Sequence, residues 1–186
     1  MIKCKKMISC ALATMIAMQG GGLVFAGENS TKDLDIKLEC QNQNKLFEEA
    51  IEHEASKIKF GTQIEKETFK NQVRSLFCDS KTKNTISIPN NVVAAGINVA
   101  ISLVVGGIGV GSVQAYIESV GKEAARRIFY KTIVDRLMAW GAGYIATGIG
   151  VCVDFIMELT DFGGRIAEWL DSTDSCPNNG YWEVWE

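Results

Sequence analysis

The uncharged run VVAAGINVAISLVVGGIGVGSV, Val92–Val113, is the stretch around which the rest of the chain is organised. It has no charged residue in 22 positions and contains five glycines. A helix of this length spans about 33 Å, close to the thickness of a bilayer core. In water each interior glycine costs a helix roughly 1 kcal/mol relative to alanine. The glycines therefore predict close helix packing, a break between two shorter helices near Gly106–Gly107, or both.

A second uncharged run, MAWGAGYIATGIGVCV, covers Met138–Val153. Small residues recur in both runs at a spacing of four, which lets helices approach closely. The predicted helix-packing positions are Gly107, Gly111, Ala142, Ala146 and Gly150. Three interpretations remain open: a buried helical hairpin, a stable membrane span, and a fold that buries the runs in water and inserts them later.

The segment between the two runs, Ser112–Trp140, is basic, with five basic against three acidic residues. Gly121 is expected to divide it into two helices. The predicted apolar stripe consists of Val113, Ile117, Val120, Ala124, Ile128, Leu137 and Trp140. A basic amphipathic helix is typical of proteins that bind anionic membranes, although an ordinary surface helix has the same pattern.

An uncharged run followed by the basic helix VGKEAARR, Val120–Arg127, and then by Met138–Trp140, resembles the circular, saposin-like helical bacteriocins. The resemblance covers about residues 91–146. It implies four or five short helices around an apolar core, target-membrane lipids as the partner, and oligomerisation on the membrane. The membrane-contacting residues that it implies are Lys122, Arg126, Arg127, Lys131 and, as an interfacial anchor, Trp140. The chain departs from that family in its polar N-terminal segment, its cysteines and its continuation past Trp140.

The first 26 residues have the features of a secretory signal. Three lysines lie within Met1–Lys6, an apolar stretch covers Met7–Met18, and Val24 and Ala26 occupy the −3 and −1 positions of a cleavage site. This arrangement predicts cleavage after Ala26 and a secreted protein.

Secretion favours disulfide bonds. Four cysteines remain after cleavage: Cys40, Cys78, Cys152 and Cys176. Of the three connectivities, we prefer Cys40–Cys78 with Cys152–Cys176, because each pair brackets one compositional unit. There is no CxxC motif and a single histidine, so neither a metal nor another cofactor is expected.

Residues 27–79 predict a polar helical hairpin that is a candidate pro-segment. A helix over Lys45–Phe60 should end at Gly61, and Thr62 with Glu65 forms a capping box for a second helix that runs to about Phe77. Residues 80–91 are interpreted as a linker, with a short strand over Thr85–Ile88 as an alternative.

Asp154 is the first charged residue after the second uncharged run. Within residues 154–172, Gly163–Gly164 is expected to interrupt the helical structure before a short helix over Arg165–Leu170. Residues 173–186 form an aromatic, acidic tail with a turn over Cys176–Gly180. The tail either binds a membrane interface or a partner, or packs back on the domain.

The sequence thus predicts an all-α fold, with the hairpin followed by a compact Gly/Ala-rich bundle of four to five helices over residues 92–172. No nucleophile has a visible partner, Glu49 and His53 are attributed to a solvated helix face, and a net charge of −3 argues against nucleic-acid binding. We expect a secreted, non-enzymatic, bacteriocin-like antimicrobial that perturbs membranes. The alternatives are an exported binding or cell-surface protein and a small membrane-anchored immunity-type protein.

Overall fold

The central element is a helix over Asn90–Val105, most of the first uncharged run. Eight of its sixteen residues are buried, as expected for a helix that is apolar on nearly every face. It ends at Gly106, which has a φ of 69°. Glycine is favoured there because it carries no Cβ that would clash in the left-handed region. The predicted break near Gly106–Gly107 is therefore confirmed.

The computed structural model describes residues 44–77, 86–106, 110–142 and 162–184. The described elements are, in chain order, α1 (44–56), α2 (Gln63–Ser75), β1 (Ile86–Pro89), α3 (Asn90–Val105), α4 (Val110–Val120), α5 (Lys122–Ala139), α6 (Phe162–Thr173) and β2 (Tyr181–Val184). Helices make up 75% of these residues, beside one small sheet of two strands. The predicted all-α class is confirmed.

Helices α1 and α2 form the predicted polar hairpin. The N–H of Glu65 donates to the Thr62 hydroxyl at 3.2 Å, and the Glu65 carboxylate accepts from the N–H of Gly61 at 2.8 Å. The carboxylate thus bonds one residue before the cap instead of the N–H of Thr62 itself. Helix α1 ends at residue 56, earlier than the expected stop at Gly61.

Replacing Thr62 by alanine should lower the free energy of unfolding by about 1 kcal/mol, because an N–H at the start of α2 loses its acceptor. Urea unfolding at neutral pH measures the change. The matched control is Thr68→Ala in the same helix, where the hydroxyl bonds only to the Ile64 carbonyl. That control should be neutral within about 0.5 kcal/mol. An equal loss in both variants would contradict the cap.

The hairpin and the bundle share one hydrophobic core within the described residues. Phe47 and Ile51 of α1 and Val73 of α2 belong to the same buried cluster as Ile97 and Ile101 of α3. The predicted boundary between residues 27–79 and 92–172 therefore does not separate two cores.

The tail packs back on the domain as far as it is described. Strands β1 and β2 are antiparallel, with Ile88 opposite Trp182, and Trp182 is fully buried. The predicted linker thus ends in a strand, close to the short strand expected over Thr85–Ile88.

The predicted break at Gly163–Gly164 is wrong. Both glycines lie within α6, which begins at Phe162. A Cβ built on Gly163 would lie 2.0 Å from the carbonyl oxygen of Ala94. The glycine therefore permits two helices to touch, which a local sequence pattern does not distinguish from a chain break.

Cys176 is exposed and unpaired in the structure. Its predicted partner Cys152, the other predicted pair Cys40 and Cys78, and the signal segment 1–26 lie outside the described residues. The disulfide pairing, the cleavage after Ala26 and the removal of a pro-segment stay predictions.

Candidate functional site

Helix α5 carries most of the predicted membrane-contacting residues. Its buried side includes Ala125, Phe129, Ile133 and Leu137. Most of the predicted stripe faces the core: Leu137 is buried, and Val113, Ile117, Ile128 and Trp140 are partly buried against it. Val120 and Ala124 are exposed. Gly121, whose φ is 86°, lies between α4 and α5, so the predicted division into two helices is confirmed.

The opposite side of α5 faces outward. We use the name outer face for its exposed residues Glu123, Ala124, Arg127, Tyr130, Lys131, Asp135 and Met138. Arg127 and Lys131 lie four residues apart, and Ala124, Tyr130 and Met138 each lie three or seven residues from one of these cations, so the five side chains share one side of the helix. The acidic side chains of Glu123 and Asp135 lie at the edges of this side. Met138 is 60% exposed, which is a large fraction for an apolar side chain, and Tyr130 is 37% exposed.

Of the four predicted cations, Arg127 and Lys131 lie on the outer face, whereas Lys122 and Arg126 share the helix side of the buried Ala125 and Phe129. Lys122 and Arg127 are exposed, and Arg126 is half-buried. Lys131 lies 3.0 Å from Asp135 within the helix. Exposed pairs of this kind contribute a few tenths of a kcal/mol, so Lys131 can exchange Asp135 for another anion at little cost.

Arg136, the fifth cation of α5, turns toward the hairpin. Its guanidinium carbon lies 4.6 Å from the centre of the Phe77 ring, a distance typical of a cation–π contact. Arg136 therefore joins α5 to the end of α2 and lies away from the outer face.

Trp140 contacts other residues within the fold and is not fully exposed. Its indole N–H donates to the Leu76 carbonyl at 2.7 Å, which satisfies a carbonyl left over at the end of α2. Its ring packs on Gly96 and lies 6.2 Å from the ring of Trp182. In this fold Trp140 joins α3, α5 and the hairpin, and the predicted anchor role requires it to leave those contacts.

Two of the five predicted helix-packing positions lie within the described residues. Ala142 is fully buried, and its N–H donates to the Leu137 carbonyl at 2.8 Å. Gly111 lies in α4. The other three, Gly107, Ala146 and Gly150, lie outside the described residues.

The close approaches that the structure displays involve Gly96 and Gly163, neither of which was predicted as a packing position. A side chain at Gly96 would meet Leu76 at 2.8 Å and Trp140 at 3.1 Å. The composition of α3 pointed to close packing in general, but the particular glycines depend on what lies opposite each.

A chain of hydrogen bonds, which we call the relay, begins at Gly163 and links α6, α3 and α1. Gly163 donates its N–H to the Asn98 side-chain oxygen at 2.8 Å, and the Asn98 amide donates to Glu54 at 3.0 Å. Lys57 pairs with the other oxygen of Glu54 at 2.5 Å. The relay satisfies a free N–H at the start of α6 and ties α6 and α3 to α1.

Asp171 is a second buried polar centre. Its carboxylate accepts from the Asn90 side chain at 2.6 Å and from the N–H groups of Asn179 and Gly180 at 3.0 Å each. Burial raises the pKa of a carboxyl, but these hydrogen bonds outweigh burial and lower the pKa of Asp171. The carboxylate fixes the turn 176–180 on the start of α3.

These centres join helices and turns within the described fold. Within the four described ranges there is no group of three or more His, Cys, Asp or Glu side chains that could hold a metal ion. Across the same ranges, no helix is both long enough and apolar enough to cross a membrane.

Comparison of the chain with protein-family models, with curated proteins and with solved structures gives no match.

Proposed function

We propose that this chain is a secreted, non-enzymatic, membrane-active protein, a bacteriocin-like antimicrobial that binds anionic target membranes through the outer face of α5. The observation that carries the proposal is the interleaving of Arg127 and Lys131 with Tyr130 and Met138 on one exposed side. Cations attract the surface to anionic headgroups, and the apolar side chains between them enter the headgroup region.

Binding in this form is peripheral. Helix α3 is the most apolar helix of the described fold, but its apolar side chains are buried against other helices. Pulling it out of the core exposes Val92, Ile97, Ile101 and their neighbours, at a cost on the order of 10 kcal/mol. A bilayer offsets this cost because its interior is equally apolar. Surface binding therefore precedes any insertion of the run Val92–Val113.

Vesicle binding and dye leakage test the proposal. The full chain should bind vesicles of phosphatidylglycerol and release their dye, but should not bind pure phosphatidylcholine at the same protein concentration. Removing two cations with Arg127→Gln and Lys131→Gln should weaken binding by roughly 30-fold, since each cation near an anionic surface contributes about 1 kcal/mol.

The control replaces two exposed cations of the hairpin region, Lys45→Gln and Lys59→Gln. This variant loses the same net charge and should bind within about twofold of the parent, because those residues lie off the outer face. If both variants lost the same vesicle affinity, the effect would come from net charge alone, and the outer face would not be the binding site. Absence of binding to anionic vesicles would overturn the proposed function.

A second candidate is an exported binding or cell-surface protein. It is favoured by the burial of α3 and by a largely apolar groove whose walls include Ile58, Phe60 and Phe69, remote in sequence from α5. A protein that ignores vesicles of both compositions while staying folded would favour this candidate.

A further inference from the structure

Charged side chains follow one another along the outer face of α5 at a constant spacing of four residues. In chain order they are Glu123, Arg127, Lys131 and Asp135, and all four are exposed. Residues four apart on a helix are neighbours on one side and lie about 6 Å apart along the axis. The face therefore carries a row of charges in the order minus, plus, plus, minus, which we call the charge ladder.

Each acidic end of the ladder lies near a cation of the same helix. The Asp135 carboxylate lies 3.0 Å from the Lys131 ammonium group, and the Glu123 carboxylate lies 3.7 Å from the Arg126 guanidinium group. Exposed pairs of this kind are weak, because water screens both partners. A cationic group from outside can therefore take the place of either partner beside these carboxylates.

A uniformly anionic surface satisfies only half of the ladder. Negative headgroups attract Arg127 and Lys131, but they repel the carboxylates of Glu123 and Asp135 at the two ends. The remaining cations of α5 do not compensate, since they lie on the core side of the helix or against Phe77. The ladder thus has no net charge, and its attraction to a surface depends on how the charges of that surface are arranged.

We propose that the charge ladder recognises a mixed lipid surface, in which anionic phosphate groups lie under the two cations and ammonium headgroups lie under the two acidic ends. Such a surface meets all four charges of the ladder with opposite ones. This inference rests on the proposed function, because the same face binds the membrane, and it adds which lipids that membrane contains. Glu123 and Asp135 are thus specificity-determining residues whose ligands are primary ammonium groups.

A primary ammonium headgroup is a better ligand for these carboxylates than a quaternary one. The ammonium group of phosphatidylethanolamine has three N–H donors and forms charge-assisted hydrogen bonds with a carboxylate. The quaternary ammonium group of phosphatidylcholine has no N–H, and its methyl groups hold the charge farther away. Both lipids are zwitterionic, so exchanging one for the other changes the ligand and leaves the net charge of the surface unchanged.

Vesicle binding at a constant phosphatidylglycerol content tests the inference. The full chain should bind mixtures with phosphatidylethanolamine about tenfold more tightly than mixtures with phosphatidylcholine, since two charge-assisted contacts are added. In the double variant Glu123→Gln with Asp135→Asn, this preference should fall to within about twofold. The urea unfolding midpoint should stay that of the parent, because both side chains are exposed.

The matched control is the double variant Glu49→Gln with Glu168→Gln. These two residues form similar pairs, at 3.6 Å to Lys45 and at 3.0 Å to Arg165, and the variant gains the same net charge. Because they lie on α1 and α6, the control should keep the preference of the parent. It thereby separates headgroup recognition from the change in lipid packing that phosphatidylethanolamine brings to any vesicle.

Two results would overturn the inference and leave the proposed function intact. One is a parent that binds both mixtures equally. The other is a preference that survives in Glu123→Gln with Asp135→Asn, or that the control loses to the same extent. A parent that binds no anionic vesicle would overturn the proposed function, and this inference with it.

Discussion

Replacing Gly163 by alanine should destabilise the protein by about 3 kcal/mol, the largest loss that we expect from adding one methyl group. This loss of stability is the reverse of the usual effect, because replacing glycine by alanine inside a helix normally stabilises the helix by roughly 1 kcal/mol. Here the new Cβ would lie 2.0 Å from the Ala94 carbonyl oxygen and 2.8 Å from the Asn98 side chain. A backbone carbonyl cannot turn aside as a flexible side chain can, so α3 and α6 must separate.

Separation of these helices also breaks the relay through Asn98. The Gly163 N–H then loses its acceptor, and Glu54 is left buried with one fewer donor, which costs more than the lost packing alone. Urea unfolding at neutral pH measures the loss, and near-UV circular dichroism reports whether the aromatic side chains near the interface keep their packing.

The matched control is Gly106→Ala. Its Cβ has nothing within 4 Å, so the cost is that of an alanine at a φ of 69°, about 1 kcal/mol. If Gly163→Ala proves as stable as the parent or more so, then α3 and α6 do not touch in this way and the prediction fails.

Features set by neighbouring residues could be predicted from the sequence. The cap at Thr62, the helix breaks at Gly106 and Gly121, and the burial of an uncharged α3 each depend on local geometry or on composition alone. For that reason the all-α class and the order of the helices followed from the amino-acid pattern.

Features set by distant residues could not be predicted. Whether Gly163 ends a helix or admits a neighbour depends on Ala94, far away in the chain. Trp140 is amphipathic, and only the free carbonyl of Leu76 at the end of α2 decides that its N–H points inward.

The proposed membrane-contacting residues were chosen from the sequence by residue type, because the sequence does not show which side chains point outward. Arg127 and Lys131 lie on the outer face, whereas Trp140 lies within the fold. In the proposed mechanism, a folded protein bound to the membrane surface uses the outer face of α5. A protein that inserts into the membrane must first break the contacts of Trp140 within the fold.

Replacing Asp171 by asparagine should also cost about 3 kcal/mol at neutral pH, because two backbone N–H groups lose a charged acceptor in a buried setting. The asparagine side chain keeps the shape of the aspartate, so the loss reflects hydrogen bonding and not a cavity. In addition, the side-chain NH₂ of the new asparagine would replace one carboxylate oxygen and would face a hydrogen-bond donor from Asn90 or from the turn.

The effect should depend on pH in one direction. The pKa of Asp171 is lower in the folded protein than its ordinary value of 3.8, so the stabilisation is fully present above that value. It is lost as the pH falls through the lower folded pKa, where the carboxyl is protonated in both states. The difference between the parent and Asp171→Asn should be constant above about pH 5 and shrink below about pH 4.

Asp174→Asn is the control, because Asp174 also accepts two backbone N–H groups, those of Cys176 at 3.0 Å and Glu183 at 2.9 Å. It is less buried than Asp171, so water replaces part of what is lost and the cost should be about 1 kcal/mol. Comparing both variants across pH separates Asp171 from other acid-sensitive groups such as Glu52, whose pKa the hydrogen bonds from Lys66 and Lys70 lower to about 2. A difference between the parent and Asp171→Asn that persists unchanged to pH 2 would show that the charge of Asp171 does not stabilise the turn, because Glu52 contributes equally to both proteins and cancels.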